Sequence, residues 1–292
     1  MSIDEIFAAN GGVATTGQLL DVISRKALAC HVRAGRVVRL RRGVYAAAQP
    51  DVFGRLAALD LATGTRIVAC LGTAAALYGF DTDADPRLHV LDPGIRLRPT
   101  PDVMVHQRLG APLRTVGGRL ATAPAWTAIE VARTLWRPRA LATLDTAVRI
   151  GACTPPELRQ VLSEQKGRRQ IIKVRELATY IDGRAESEME SEARLVFIDA
   201  GMPMPELQYE IVDRWGDRWR VDFAWPEARL AAEYDSIDWH MGPKALLHDR
   251  LKIARLQECG WLSVPMTVND VRRDPLRLVA RINAHLNQRL AA

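Results

Sequence analysis

Nowhere in the sequence does an apolar run approach the roughly 18 residues that a membrane span requires, so no membrane partner is expected. The opening residues Met1-Ser2-Ile3-Asp4-Glu5 are acidic and carry no apolar signal core, which points to the cytoplasm. Cysteine is scarce. The four residues, at 30, 70, 153 and 259, never fall in CxxC spacing, which speaks against a zinc ribbon or a local redox pair and for plain thiols in a reducing compartment. Six histidines form no HExxH motif. With 48% hydrophobic and 25% charged residues, the composition also lacks any bias toward disorder, collagen or a coiled-coil rod. A length of 292 residues is enough for two or three domains.

What is present is a modest positive charge, +6 from 40 Lys and Arg against 34 Asp and Glu, and it is unevenly placed. The first fifty residues hold seven basic and three acidic side chains, four of the six excess charges. There the pattern predicts a helix over Ile3–Ala9 ended by Gly11-Gly12, and a second over Gln18–Val22 capped by Thr15-Thr16. A third, Arg25–Ala34, is capped by Ser24 and closed by Gly35. Val37–Leu40 and Val44–Ala46 read as strands joined by the turn Arg41-Arg42-Gly43. Three helices and a small hairpin make a winged helix-turn-helix. Between Ser24 and Arg42 lie Arg25, Lys26, Arg33, Arg36, Arg39, Arg41 and Arg42, with His31 among them and no acid. The third helix would offer Arg25, Lys26, His31 and Arg33 to a groove, and the hairpin Arg39, Arg41 and Arg42 to phosphates of double-stranded DNA. The plainer alternative is a solvated basic face on a small helical module.

These residues also carry a resemblance. Asn10-Gly-Gly-Val-Ala-Thr-Thr-Gly-Gln-Leu-Leu, Ser24-Arg-Lys-Ala-Leu and Gly35-Arg-Val-Val-Arg-Leu-Arg-Arg-Gly-Val-Tyr45 resemble the N-terminal winged helix of AbiEi-type antitoxins. The resemblance implies an antitoxin and transcriptional repressor of a type IV-like toxin–antitoxin system. It implies binding to the protein's own operator, no cofactor for DNA binding, and a nucleotidyltransferase-like toxin as partner. A homodimer is a further expectation.

Residues 51–182 are expected to form a middle α/β connector. Helices are predicted at Phe53–Ala62, 72–80, Pro124–Leu135, Ala140–Ile150 and after Thr154, and strands at Leu88–Leu91 and Val103–Gln107. Thr73 to Gly79 and Thr122 to Ile129 resemble the central region of AbiEi-like proteins. His89 and His106 fall on adjacent strands but lack a third metal ligand at sensible spacing. Lys166, Arg168, Arg169, Lys173 and Arg175 form a further basic cluster, a second phosphate contact or an ordinary exposed face.

From 183 to 292 the predicted order is α-β-β-β-α-β-α. With Ser187-x-x-Glu190, Arg220-Val-Asp222-Phe, Glu233-Tyr-Asp235, His240, His248-Asp249-Arg250 and Gly260-Trp261, it resembles the very-short-patch-repair-like branch of the PD-(D/E)XK nuclease fold. The fold class is therefore α+β multidomain: winged helix at 1–50, connector at 51–182 and a restriction-endonuclease-like αβββαβα domain at 183–292. Asp222 and Glu233 stand eleven residues apart on consecutive strands, so a hairpin brings both carboxylates toward one Mg²⁺, with Glu190 completing the site. The resemblance adds Asp235 and His240 as catalytic candidates. The chain departs from the nuclease pattern at Glu233-Tyr234-Asp235, where Glu-x-Lys is wanted, at Ser236 for Gly, at the displaced His240, and at Pro265, where a basic residue is usual. Without that cation a developing phosphoryl charge lacks its stabiliser. Three readings stay open: a metal-dependent endonuclease, a degenerate binding domain, and a coincidental fold.

Overall fold

Short-range capping sets the first elements. In this computed structural model, which describes residues 2–83, 85–95, 97–107, 110–235 and 243–291, Ser2 and Glu5 form a reciprocal capping box at the start of α1 (Ile3–Ala9). After β1 (Val13–Thr15), Thr15 and Gln18 do the same for α2 (Thr16–Leu20), and the Ser24 hydroxyl accepts from the Ala27 N–H at the head of α3 (Arg25–Arg33). β2 (Val38–Arg41) and β3 (Val44–Ala46) form the expected hairpin. Sequence reasoning overlooks β1, a segment too short to show alternation. It pairs antiparallel with β3, giving the sheet order β1-β3-β2. One sheet face covers Ile6, Phe7, Leu19 and Leu28; the other packs Val13, Val44 and Ala46 on Ala58 of α4 (Val52–Thr63).

The chain divides into two compact units, Met1–Thr134 with Gln160–Gln165, and Leu135–Arg159 with Lys166–Ala292. The first continues with α5 (Leu71–Tyr78), β4 (Leu88–Leu91), β5 (Val103–His106), β6 (Leu113–Val116), β7 (Arg119–Thr122) and α6 (Pro124–Thr134). β4 and β5 pair in parallel, β6 and β7 antiparallel, and Ala69 bridges to both Val90 and Ala121. Leu56, Leu59, Ile67, Leu77, Leu88 and Val103 form the core beneath them. The β6–β7 hairpin is another element the sequence reading lacks; its turn is Gly117-Gly118, both at positive φ.

The second unit begins with α7 (Arg137–Arg149); α8 (Pro155–Glu164) contributes residues to both units. Then come α9 (Ile171–Leu177), α10 (Glu188–Asp199), β8 (Glu206–Val212), β9 (Arg218–Trp225), β10 (Leu230–Tyr234), α11 (Pro243–Glu258), β11 (Leu262–Met266), α12 (Val268–Arg272) and α13 (Pro275–Leu290). The α-β-β-β-α-β-α order is present with one short helix, α12, added. The strands lie in the order β11-β10-β9-β8, with β10 and β11 parallel and the other pairs antiparallel. A fully buried ion pair, Arg194 Nη2 to Asp145 Oδ2 at 2.6 Å, ties α10 to α7.

Two residues turn the sheet over. Leu207 on β8 and Phe223 and Trp225 on β9 join the core with Phe197 and Leu278. Ile211, Trp219 and Val221 belong instead to the core with Leu256 and Trp261, against which Tyr209 packs. The register steps from Leu207–Phe223 to Tyr209–Val221 without pairing Gln208 and Asp222. Gln208 has φ +53°, a left-handed conformation that a glutamine adopts only under local constraint.

Candidate nucleic-acid interface and carboxylate site

On α3 the apolar spacing buries Leu28 and leaves Arg25, Lys26 and Arg33 exposed. His31 is half-buried, and its Nδ1 accepts from Arg36 Nε at 3.2 Å, so these two side chains hold each other. Arg39 and Arg42 are exposed on the hairpin. Arg41 is not with them. Arg39 pairs with Tyr45 and Arg41 with Val44, so Leu40 is an extra residue, a β-bulge. Adjacent partners on β3 face opposite ways, which puts Arg41 on the sheet face of Val44 and α4. There its Nη2 lies 2.7 Å from Asp102 Oδ2. Of the three wing arginines expected to meet phosphates, Arg41 is thus the one already paired with an acid.

In the second unit, Asp222 and Glu233 meet as expected. Ala232 is opposite Phe223, so one further step of the same register sets Glu233 opposite Asp222. Both line a cavity of about 360 Å³ with Asp235, Asp249, Lys252 and Ser263. Asp222 Oδ2 accepts the Tyr234 N–H at 2.8 Å. Burial pushes its carboxyl up to about 6. The charges of Glu190 and Glu233 push the same way, against the Tyr234 hydrogen bond and Lys252. Glu190 is buried at the start of α10, where its Oε2 accepts from the Glu186 N–H and from Gln208 Nε2, both at 2.8 Å. Asp235 lines the same cavity, and its backbone N–H bonds the Met266 carbonyl. His240, with Ser236 and Trp239, lies outside the described residues.

A basic residue does stand at the cavity, on a helix and not on the strand of Pro265. Lys252 Nζ on α11 bonds Glu233 Oε2, and the Ser263 hydroxyl donates to Oε1 at 2.8 Å. Lys252 follows Asp249 by three residues, which puts the two on one side of a helix. That spacing sets Lys252 on the side of Asp249 but does not single out Glu233 as its partner. Gln208 left no sequence signal, because its role comes from backbone conformation.

His89 Nδ1 and His106 Nε2 face each other at 3.0 Å, and Asp85 Oδ2 lies 2.9 Å from His89 Nε2. The carboxylate sits on the far nitrogen, so the three groups do not converge on one point. Among the described residues no group of three or more His, Cys, Asp or Glu is placed to hold a metal ion. In the basic cluster, Lys166, Arg169 and Arg175 are exposed, whereas Lys173 Nζ bonds the Leu135 carbonyl at 2.6 Å. No described helix is long and apolar enough to cross a membrane.

The helical module, its hairpin and the exposed cationic face fit the N-terminal domain of a transcriptional regulator. A family described as transcriptional regulator, AbiEi antitoxin, matches residues 1–48, and the AbiEi antitoxin C-terminal domain matches residues 67–179. Over these two segments the chain is similar to AbiEi antitoxins. The chain is also similar to two proteins of Mycobacterium tuberculosis, from strains CDC 1551 / Oshkosh and ATCC 25618 / H37Rv, both described as uncharacterized. Each is 60% identical over 266 residues, covering 91% of this chain and 98% of the relative.

Proposed function

We propose that the chain is an antitoxin that represses transcription by binding operator DNA upstream of its own gene through α3 and the β2–β3 wing. The observation that carries this reading is the exposed set Arg25, Lys26, Arg33, Arg39 and Arg42, in a stretch from 24 to 42 that contains no acid. Phosphate neutralisation by such a face gives affinity, and residues at the start of α3 are placed to read base edges. The family supports a toxin partner; a nucleotidyltransferase-like toxin and a homodimer are the finer forms of the proposal. Footprinting of the upstream region with the full chain tests the operator. A protected site that Arg25→Ala with Arg39→Ala abolishes is expected; uniform, unprotected DNA sinks the reading.

A second reading, a Mg²⁺-dependent endonuclease of the restriction-endonuclease-like fold, is favoured by the strand order and by Asp222 and Glu233 sharing one cavity. Their oxygens are the hard donors that Mg²⁺ prefers. The arrangement does not fit the ion. Glu233 is bonded by Lys252 and Ser263, Asp222 by Tyr234, and Glu190 by Gln208 and Glu186. The ammonium group of Lys252 already neutralises the carboxylate a cation would need. We therefore read this unit as a degenerate binding domain. Plasmid nicking by the wild-type chain with Mg²⁺, lost in Asp222→Ala with Glu233→Ala, would reverse that.

A further inference from the structure

We propose that Arg41 and Arg55 form a phosphodiester-binding subsite that the Asp102 carboxylate fills in the DNA-free protein. The inference rests on the DNA-binding reading above and adds two residues and a built-in competitor to it. Two donors hold the Asp102 carboxylate, and Arg55 stands beside it on the backbone of the same residue. Arg41 Nη2 reaches Oδ2 at 2.7 Å, the Thr100 hydroxyl reaches Oδ1 at 2.7 Å, and Arg55 Nη2 approaches the backbone carbonyl at 3.5 Å. A carboxylate presents to guanidinium the same pair of charged acceptor oxygens that a phosphodiester does.

Location supports the assignment. Arg41 immediately precedes the exposed Arg42 and Gly43 at the hairpin turn, so the subsite adjoins the wing. The bulge at Leu40 directs Arg41 toward α4, where Arg55 lies one turn past the N-cap. The Asp102 side chain is 54% exposed and that of Arg41 18%. The acid is accessible to displacement while the arginine is already partly desolvated. Burial alone would raise the Asp102 carboxyl, yet the Thr100 hydrogen bond and the charges of Arg41 and Arg55 hold it below the usual carboxylate range, so the competitor stays ionised at neutral pH. A pair whose acid stands this far in solvent contributes little stability, and a polyanion that meets the whole face at once outcompetes it.

The test is an anisotropy titration of the full chain with a fluorescein-labelled mixed-sequence duplex over a potassium chloride series. Asp102→Asn, which keeps the shape and removes the charge, is expected to bind more tightly than wild type. Its log–log salt slope should steepen by about 0.9, one additional phosphate. Asp102→Ala should move binding in the same direction, and adding Arg41→Ala to Asp102→Asn should return both readouts to the Arg41→Ala level. Equal or weaker binding by both Asp102 variants overturns the subsite and leaves the pair a structural strut. Arg25→Ala with Arg39→Ala separates the two claims. If that variant binds as wild type does, the DNA-binding reading fails. If it weakens while the Asp102 variants change nothing, only the subsite fails.

Discussion

The two charged regions of this molecule are built on opposite principles. On α3 and the wing, Arg25, Lys26, Arg33, Arg39 and Arg42 stand in water without acids in their own stretch of chain. In the second unit, the carboxylates around Asp222 and Glu233 are answered from within by Lys252, Ser263, Gln208 and a backbone N–H. A surface whose charge is left unbalanced is completed by something outside the protein. A site that balances itself has less left to offer a ligand.

The contrast is sharpest at the extreme of self-neutralisation. Arg194→Met leaves Asp145 buried without its partner and should cost about 3–5 kcal/mol by chemical denaturation. Next in size is the opposite kind of charge. Arg25→Ala with Arg39→Ala should lower duplex affinity on the order of a hundredfold at low salt and flatten the salt slope by about 1.8, while melting temperature holds. If stability falls instead, those arginines belong to the self-neutralised class.

Lys252→Met should destabilise by about 2 kcal/mol, because Glu233 is left part-buried with the Ser263 hydroxyl but no counter-ion. Asp222→Asn should do the reverse. A carboxyl raised to about 6 is favoured in its protonated form by the fold, so its contribution to stability is present at low pH and lost as pH rises toward 6. The amide should therefore gain about 2 kcal/mol at pH 7 and nothing at pH 4. The smallest effect concerns His106. Burial, with the charges of His89 and Arg87, holds its imidazole below the ordinary value, and Glu130 opposes them. The neutral ring is favoured, so stability is full above about 6.5 and declines as pH falls below it. His106→Gln should flatten that decline in thermal melts.

Much of this was legible in the sequence. Ser24, Gly35 and the basic run located α3 and the hairpin, because capping and left-handed glycine are local matters. Asp222 and Glu233 were placed together correctly, because a β-hairpin fixes which residues oppose. Lys252 and Asp102 were not legible as partners. They reach Glu233 and Arg41 across 19 and 61 residues of chain, and nothing in the residues near either carries that information. The bulge at Leu40 was equally silent, since Val-Arg-Leu-Arg reads as a regular alternation.

The left-handed turn at Gln208 has a consequence beyond the carboxylates. β8 is the outer strand of its sheet, and an outer strand that changes its buried face midway offers no continuous ladder to another chain. At the opposite margin, β11 carries Pro265, which has no N–H to donate. Both margins of the sheet are thus poor templates for strand addition, which guards the unit against edge-to-edge aggregation.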